Sequence, residues 1–360
     1  MKKKLIYVMI LSMMILGNGQ SMISAATKRP ETPTNFMATG VKNQVVLSWV
    51  NGKRTTGVHI YLYNTKSKKY EKIAETKKAK YILKNGVRGA EYSFKVRAYR
   101  TYKGKKYYSG YTKRAKTALA AKGESTIKNF LKTAMAPMGT TMYIWGGGWN
   151  KADTGAGKDA KRIGVNGNWY KFFKKQGAGY NYKKYRYKWG SGLDCSGFVG
   201  WAVYNIRNTT GGKTGYVTKA KNQGKLFAKK GWGSYKTKSK VTDYKAGDIM
   251  TSNGHVYIVV GSCPDKSVVL VHSSPNGVRI SGTASPKGKK NSQAVKLAKK
   301  YMKKYRPAWY KKYPSCYKNK SYLSDYGQMR WDISGNKMMA DDENYWKHNA
   351  QWILNDLFTN

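Results

Sequence analysis

An all-β sandwich followed by an α+β domain is the fold class that this sequence predicts, on three observations. Short alternating strands broken by turn dipeptides fill residues 30–117. A lone cysteine then heads an apolar run with helical spacing, Cys195 to Ile206. From Asp243 strand-like runs return, and helical spacing closes the chain. At 360 residues the chain has a two-domain length.

Residues 1–26 read as a secretory leader. Lys2, Lys3 and Lys4 precede the apolar stretch Leu5 to Gly17, and Ser24 and Ala26 supply the small residues that a signal peptidase accepts. The apolar stretch is too short to span a bilayer comfortably, and no later run is long enough to serve as an integral span.

The formal net charge is +52, and it is not confined to a tail. From Thr27 to Gly123 there are 24 Lys and Arg against 4 Asp and Glu, and from Glu124 onward 42 against 13. Such a field suits an extended polyanion or a crowded anionic surface. A leader argues against nucleic acid as the partner and favours anionic cell-wall polymers or acidic lipid headgroups. A lysine-rich composition without a dedicated partner is the alternative reading.

In the first domain, Val45, Leu47 and Trp49 alternate with Val46, Ser48 and Val50. Val58, Ile60 and Leu62 alternate with His59, Tyr61 and Tyr63, and Tyr92, Phe94, Val96 and Ala98 form a later strand. Asn51-Gly52, Asn85-Gly86 and Lys103-Gly104 are the turns between them. The segment 27–118 resembles a fibronectin type III domain, with Trp49 as core tryptophan and Tyr92 as corner tyrosine. His59 falls on the outward face of its strand, as a surface side chain. Residues 119–125 read as a linker.

The second domain, 126–360, opens with a helix over Ile127, Phe130, Leu131 and Ala134, capped by Ser125. The stretch from about 149 to 192 has little periodicity and reads as an insertion or elaborated loop, and a C-terminal extension begins at about 283. The strands are Asp248-Ile249-Met250, Val256 to Val260, Val268 to Val271, and Val278-Arg279-Ile280. Asp341 and Asp342 open a last helix through Trp346, Ala350 and Leu357, with His348 on its solvated face.

Three cysteines are too few for a disulfide framework, and an odd number leaves a free thiol. Leu193-Asp194-Cys195-Ser196-Gly197-Phe198-Val199 places Cys195 at a helix start, where unfilled amide groups and the helix dipole favour thiolate. A buried structural cysteine is the alternative. His255 begins one strand and His272 ends the next. If those strands are antiparallel neighbours, the two imidazoles come within side-chain reach, one as base and the other as its orienter.

Asp194-Cys195-Ser196-Gly197-Phe198, Gly254-His255-Val256-Tyr257-Ile258 and Val271-His272-Ser273-Ser274 match, in order, the three motifs of the NlpC/P60 peptidases. Tyr143-Ile144-Trp145-Gly146-Gly147 is similar to the aromatic-Gly-Gly motif that precedes the cysteine in that family. The resemblance runs from about Glu124 to about Gly282. It implies a papain-like α+β domain and cleavage of peptidoglycan stem peptides. It also implies Cys195 as nucleophile, His255 as general base and then acid, and His272 as the polar third member. Tyr143 would lie close to the thiol. Asp194 and Ser196 flank the nucleophile, either touching substrate or capping the helix. The long stretch between Gly148 and Leu193 departs from the family's short connection.

No His-x-His or His-Glu-x-x-His occurs, and neither metal nor organic cofactor is expected. The expected activity is a secreted, wall-associated cysteine endopeptidase whose partners are peptidoglycan and anionic wall polymers. The alternatives are a wall amidase or acyl transferase using the same pair, and a catalytically silent wall-binding module.

Overall fold

The computed structural model describes residues 28–207, 211 and 214–359, and the leader expected over 1–26 lies outside them. The chain is a mixed α+β protein with antiparallel sheets, divided into two compact units. One contains the described residues up to Phe36 with Trp49–Tyr81 and Ser93–Ala115. The other contains Met37–Ser48, Ile82–Tyr92 and everything from Lys116 onward.

The N-terminal part is all β. Its strands are β1 (Thr34–Val41), β2 (Gln44–Val50), β3 (Gly57–Asn64), β4 (Lys69–Thr76), β5 (Lys80–Leu83), β6 (Glu91–Tyr102), β7 (Lys105–Tyr108) and β8 (Ala115–Ala118). They form one sheet in the order β1-β2-β5 and a second in the order β4-β3-β6-β7, with β8 pairing β6. Lys103 and Gly104 both take positive φ, 49° and 73°, in the two-residue turn joining β6 to β7. That backbone matches the twist of the flanking strands. Trp49 is buried, and the Tyr92 hydroxyl accepts from the Val87 N–H at 2.8 Å, as a corner tyrosine does.

His59 is not the surface residue that alternation suggested, being only 4 % exposed. The rings of Tyr99 and Tyr108 lie 5.2 and 5.3 Å from it, and its Nε2 sits 2.9 Å from Glu75 Oε2. The outward face of β3 is roofed by aromatic side chains, which a period-two reading cannot distinguish from solvent.

In the second unit a short strand β9 (Ser125–Thr126) leads into helix α1 (Ile127–Met135). Thr126, not Ser125, caps α1 by accepting from Asn129 N–H at 3.1 Å. Ser125 instead donates to Gly40 O. The remaining helices are α2 (Gly167–Lys175), α3 (Cys195–Arg207), α4 (Ala220–Lys229), α5 (Gln293–Tyr305), α6 (Pro307–Lys312), α7 (Ser321–Ser324) and α8 (Ala350–Thr359). None of the described helices is long and apolar enough to cross a membrane.

Seven strands make the main sheet: β10 (Gly233–Lys236), β11 (Ile249–Thr251), β12 (Val256–Ser262), β13 (Val268–Ser274), β14 (Gly277–Thr283), β15 (Tyr317–Lys318) and β16 (Gly327–Trp331). Their spatial order is β10-β16-β11-β12-β13-β14-β15, antiparallel except for the parallel β14–β15 pair. The two sheet faces bury different sets. Val256, Ile258, Val269, Val271, Val278 and Ile280 join the large core with α1 and α3, whereas Tyr257, Val259, Val268 and Leu270 pack with Met250 and Tyr326.

The stretch 149–192 is more than a loop. Helix α2 lies within it, capped by Asn166, and buries Trp169 and Phe173 in the main core, with Trp169 edge-on to Trp201 at 5.7 Å. The last helix also begins later than expected. Asp341 caps a separate turn by accepting from Tyr345 and Trp346 N–H, and α8 starts only at Ala350. His348 precedes α8 and stacks on Trp352, with ring centroids 3.7 Å apart.

Candidate active site

The Asp194 carboxylate accepts from the Gly197 N–H at 2.6 Å and from the Ser196 hydroxyl at 3.0 Å, which starts α3. Ser196 Oγ also accepts from Trp149 Nε1 at 2.9 Å. Both residues flanking Cys195 are therefore engaged in holding the helix end. A Cβ on Gly197 would stand 2.0 Å from the Gly147 carbonyl oxygen, so only glycine lets α3 rest on the Gly146–Gly148 loop. That loop is fastened further by Asp194 N–H donating to Gly147 O, and Leu193 N–H to Met142 O. These bonds bring Tyr143 to the cysteine.

Strands β12 and β13 pair antiparallel, with Ile258 opposite Val271. His255, just before β12, and His272, near the end of β13, thus become diagonal neighbours on one sheet face. Their rings meet: His255 Nε2 is 2.9 Å from His272 Nδ1. His272 Nε2 is in turn 3.0 Å from Ser281 Oγ on β14. His255 Nδ1 makes no hydrogen bond among the described residues. Next to His272, the Ser273 hydroxyl donates to Leu193 O at 2.7 Å, tying β13 to the cysteine loop.

Cys195 and His255 share their surroundings. Backbone N–H groups of Val256, Ser196 and Cys195 itself favour charge on the sulfur, and Val256 directly follows His255. The Tyr322 and Tyr326 rings lie 5.7 and 6.5 Å from the His255 ring. Burial raises both phenols, and charge on Cys195 adds to the effect. Tyr143 is likewise raised by burial and then by charge on Cys195 and Asp194.

The thiol departs from the expectation drawn from its helix position. Burial, reinforced by the Asp194 charge, pushes Cys195 up to about 12, outweighing the N–H groups that favour thiolate. Burial pushes His255 down to about 3, with Lys318 and Arg279 adding to the effect, and lowers His272 well below its ordinary value. The resting site therefore holds a neutral thiol and two neutral imidazoles. Asp194, raised to about 7 by burial, is restrained by the donors of its cap.

Five groups in this site were not singled out from the sequence: Tyr322, Tyr326, Lys318, Arg279 and Ser281. Tyr322 also lies 6.3 Å from His272, and Lys318 Nζ is 5.2 Å from the Tyr322 ring. Arg279 stands opposite His272 in the β13–β14 register, buried, and its guanidinium donates to the Gly277 carbonyl. Cys195, Cys263 and Cys316 are all free thiols, and burial raises the latter two to about 12 and about 11. No cluster of metal-ligating side chains occurs among the described residues.

The sequence matches no protein-family model and no curated protein. Among solved structures, about a quarter of the chain is similar to fibronectin type III domains. The crystal structure of FN3tt is 23 % identical with a TM-score of 0.23, over 26 % of this chain and 96 % of that one. The solution structure of a fibronectin type III domain from human KIAA0970 protein is 16 % identical with a TM-score of 0.21, over 26 % of this chain and 74 % of that one.

Proposed function

We propose that this chain is a secreted cysteine endopeptidase of the NlpC/P60 kind, cutting peptide bonds in peptidoglycan stem peptides, with a fibronectin type III-like domain ahead of the catalytic one. One observation carries the reading. The helix-heading thiol of Cys195 lies against the N–H of Val256, the residue after His255, and His255 is bonded through Nε2 to His272. That leaves Nδ1 of His255 without a hydrogen bond among the described residues, and in this reading it serves the sulfur.

In this reading His255 Nδ1 takes the thiol proton as the sulfur attacks the scissile carbonyl carbon. The oxyanion is met by the backbone N–H of Cys195, with Tyr143 nearby. Collapse breaks the C–N bond, and His255 returns the proton to the leaving amine. Water, deprotonated by His255, then hydrolyses the thioester and frees the sulfur. Because the resting thiol is neutral, proton transfer accompanies attack rather than preceding it. The basic surface, +52 for the whole chain, would hold the enzyme on anionic wall polymers and make that association salt-sensitive.

The test is digestion of purified wall by the wild type and by Cys195→Ala, with mass spectrometry of the products. Peptide release that disappears in the variant, with new termini inside the stem peptide, is the expected result. Release at the wild-type rate by Cys195→Ala would remove Cys195 as nucleophile. Products cut at the sugar amide would make the enzyme an amidase.

A further inference from the structure

Behind the two imidazoles lies a hydroxyl to which the reaction above gives no task. Ser281 is fully buried on β14, and its Oγ is 3.0 Å from His272 Nε2. We propose that Ser281 is a positioning residue that holds His272 in the one tautomer His255 can use. The inference rests on the Cys195–His255 reading.

Two proton arrangements fit the chain His255 Nε2···His272 Nδ1, His272 Nε2···Ser281 Oγ. In the first, His255 carries its proton on Nε2 and donates to His272, whose Nε2–H donates to Ser281. His255 Nδ1 is then a bare lone pair, ready for the thiol proton. In the second, Ser281 donates to His272 Nε2, and His272 Nδ1–H donates to His255 Nε2. His255 must then carry its proton on Nδ1, where it cannot act as a base. Because both imidazoles are neutral at rest, one of these two must hold there.

Ser281 makes the first arrangement possible by giving the buried His272 Nε2–H an acceptor. Without it, a buried N–H donor is orphaned, which costs more than leaving a bare ring nitrogen there. The proton would move to Nδ1, and the productive arrangement would be lost. The other groups facing the pair cannot replace the hydroxyl. Arg279 from β14 and Lys318 from β15 are donors that oppose any positive charge on the imidazoles, and Tyr322 from α7 presents its ring.

The experiment combines nitrogen-15 NMR of the histidine rings with steady-state kinetics on a stem-peptide fragment, for the wild type, Ser281→Ala and Ser281→Thr. The expected wild-type spectrum shows His272 protonated on Nε2. Ser281→Ala is expected to move that proton to Nδ1 and to lower kcat about 10- to 100-fold, as loss of an orienting partner does, with KM nearly unchanged. Ser281→Thr, which keeps the hydroxyl, is expected to recover the tautomer and most of kcat. A wild-type His272 found protonated on Nδ1 overturns the proposal without any variant. So does a folded Ser281→Ala enzyme with wild-type kcat and an unmoved proton. If the wild type cuts no stem peptide, the endopeptidase reading fails, while the spectra still decide the tautomer.

Discussion

His255 Nε2 and His272 Nδ1 lie 2.9 Å apart, which fixes which nitrogen of each ring is free for other work. In the proposed mechanism His272 orients the base without meeting the substrate. Replacing it with alanine is expected to lower kcat by about 10² to 10⁴-fold and leave KM nearly unchanged. His272→Gln, whose side-chain oxygen can still accept from Nε2–H, is expected to retain more activity than the alanine variant. Equal losses in the two variants would mean that His272 matters by packing alone.

Cys195 is expected to behave as a slow thiol in the free protein. Burial holds its pKa up at about 12, so its alkylation by iodoacetamide should be sluggish at neutral pH and keep rising on the alkaline side. A reactive plateau beginning below pH 7 would show a preformed thiolate and contradict the neutral resting pair.

The neutral imidazoles also couple folding to pH. Burial depresses His255 to about 3, so between about 6.5 and 3 the unfolded chain binds a proton there that the folded chain does not. The His255 contribution is complete above about pH 6.5 and is lost as pH falls through that window. Asp194 and Asp248, raised by burial to about 7 and about 6, act with the opposite sign. The effect is therefore read as a difference. The stability of the wild type relative to His255→Asn should fall as pH drops from 6.5 to 4, measured by urea unfolding. A pH-independent difference would place His255 in a wetter site than its burial indicates.

Local patterns carried a good part of this site, and long-range packing carried the rest. The strands beside His255 and His272 are unbroken apolar runs, Val256 to Val260 and Val268 to Val271, and the close approach of Gly197 to Gly147 explains the paired glycines of the aromatic-Gly-Gly motif. Helix α2 was missed because its first turn has no acidic residue and Lys171, Lys174 and Lys175 dilute the apolar stripe to Trp169 and Phe173. The roof over the histidines was missed because Tyr322 and Tyr326 lie far along the chain from the sheet face they cover. Ser281 did leave a trace. Arg279, Ser281 and Thr283 are polar at every second position of a strand whose other face is Val278, Ile280 and Gly282, so a polar stripe in a buried strand pointed to buried partners.

Trp169 offers a direct measure of how far the 149–192 stretch belongs to the core. It is fully buried, edge-on to Trp201 of α3. Trp169→Ala is expected to cost about 3–5 kcal/mol in denaturant unfolding. A loss below about 1 kcal/mol would mean that the stretch is a surface appendage after all.

Arg330 on β16 joins the late strand to the sheet that presents His255. Its guanidinium contacts fully buried Asp248 at 2.8 and 3.0 Å and Asp243 at 3.0 Å. Arg330→Met would leave the Asp248 carboxylate buried without its cation, at a cost of about 3–5 kcal/mol near neutral pH. The sign with pH is distinctive. Burial already raises Asp248 to about 6 with the guanidinium in place, and removing that cation raises it further. The folded variant then holds a proton that the unfolded chain releases above about 3.9, so the variant should regain stability as pH falls from 7 toward 4. Adding Asp248→Asn should remove most of this pH dependence, because an amide has no charge to bury. Unfolding curves of the single and double variants at pH 7 and pH 4 check both points, and a single variant equally destabilised at the two pH values would show that packing, not charge, is what Arg330 supplies.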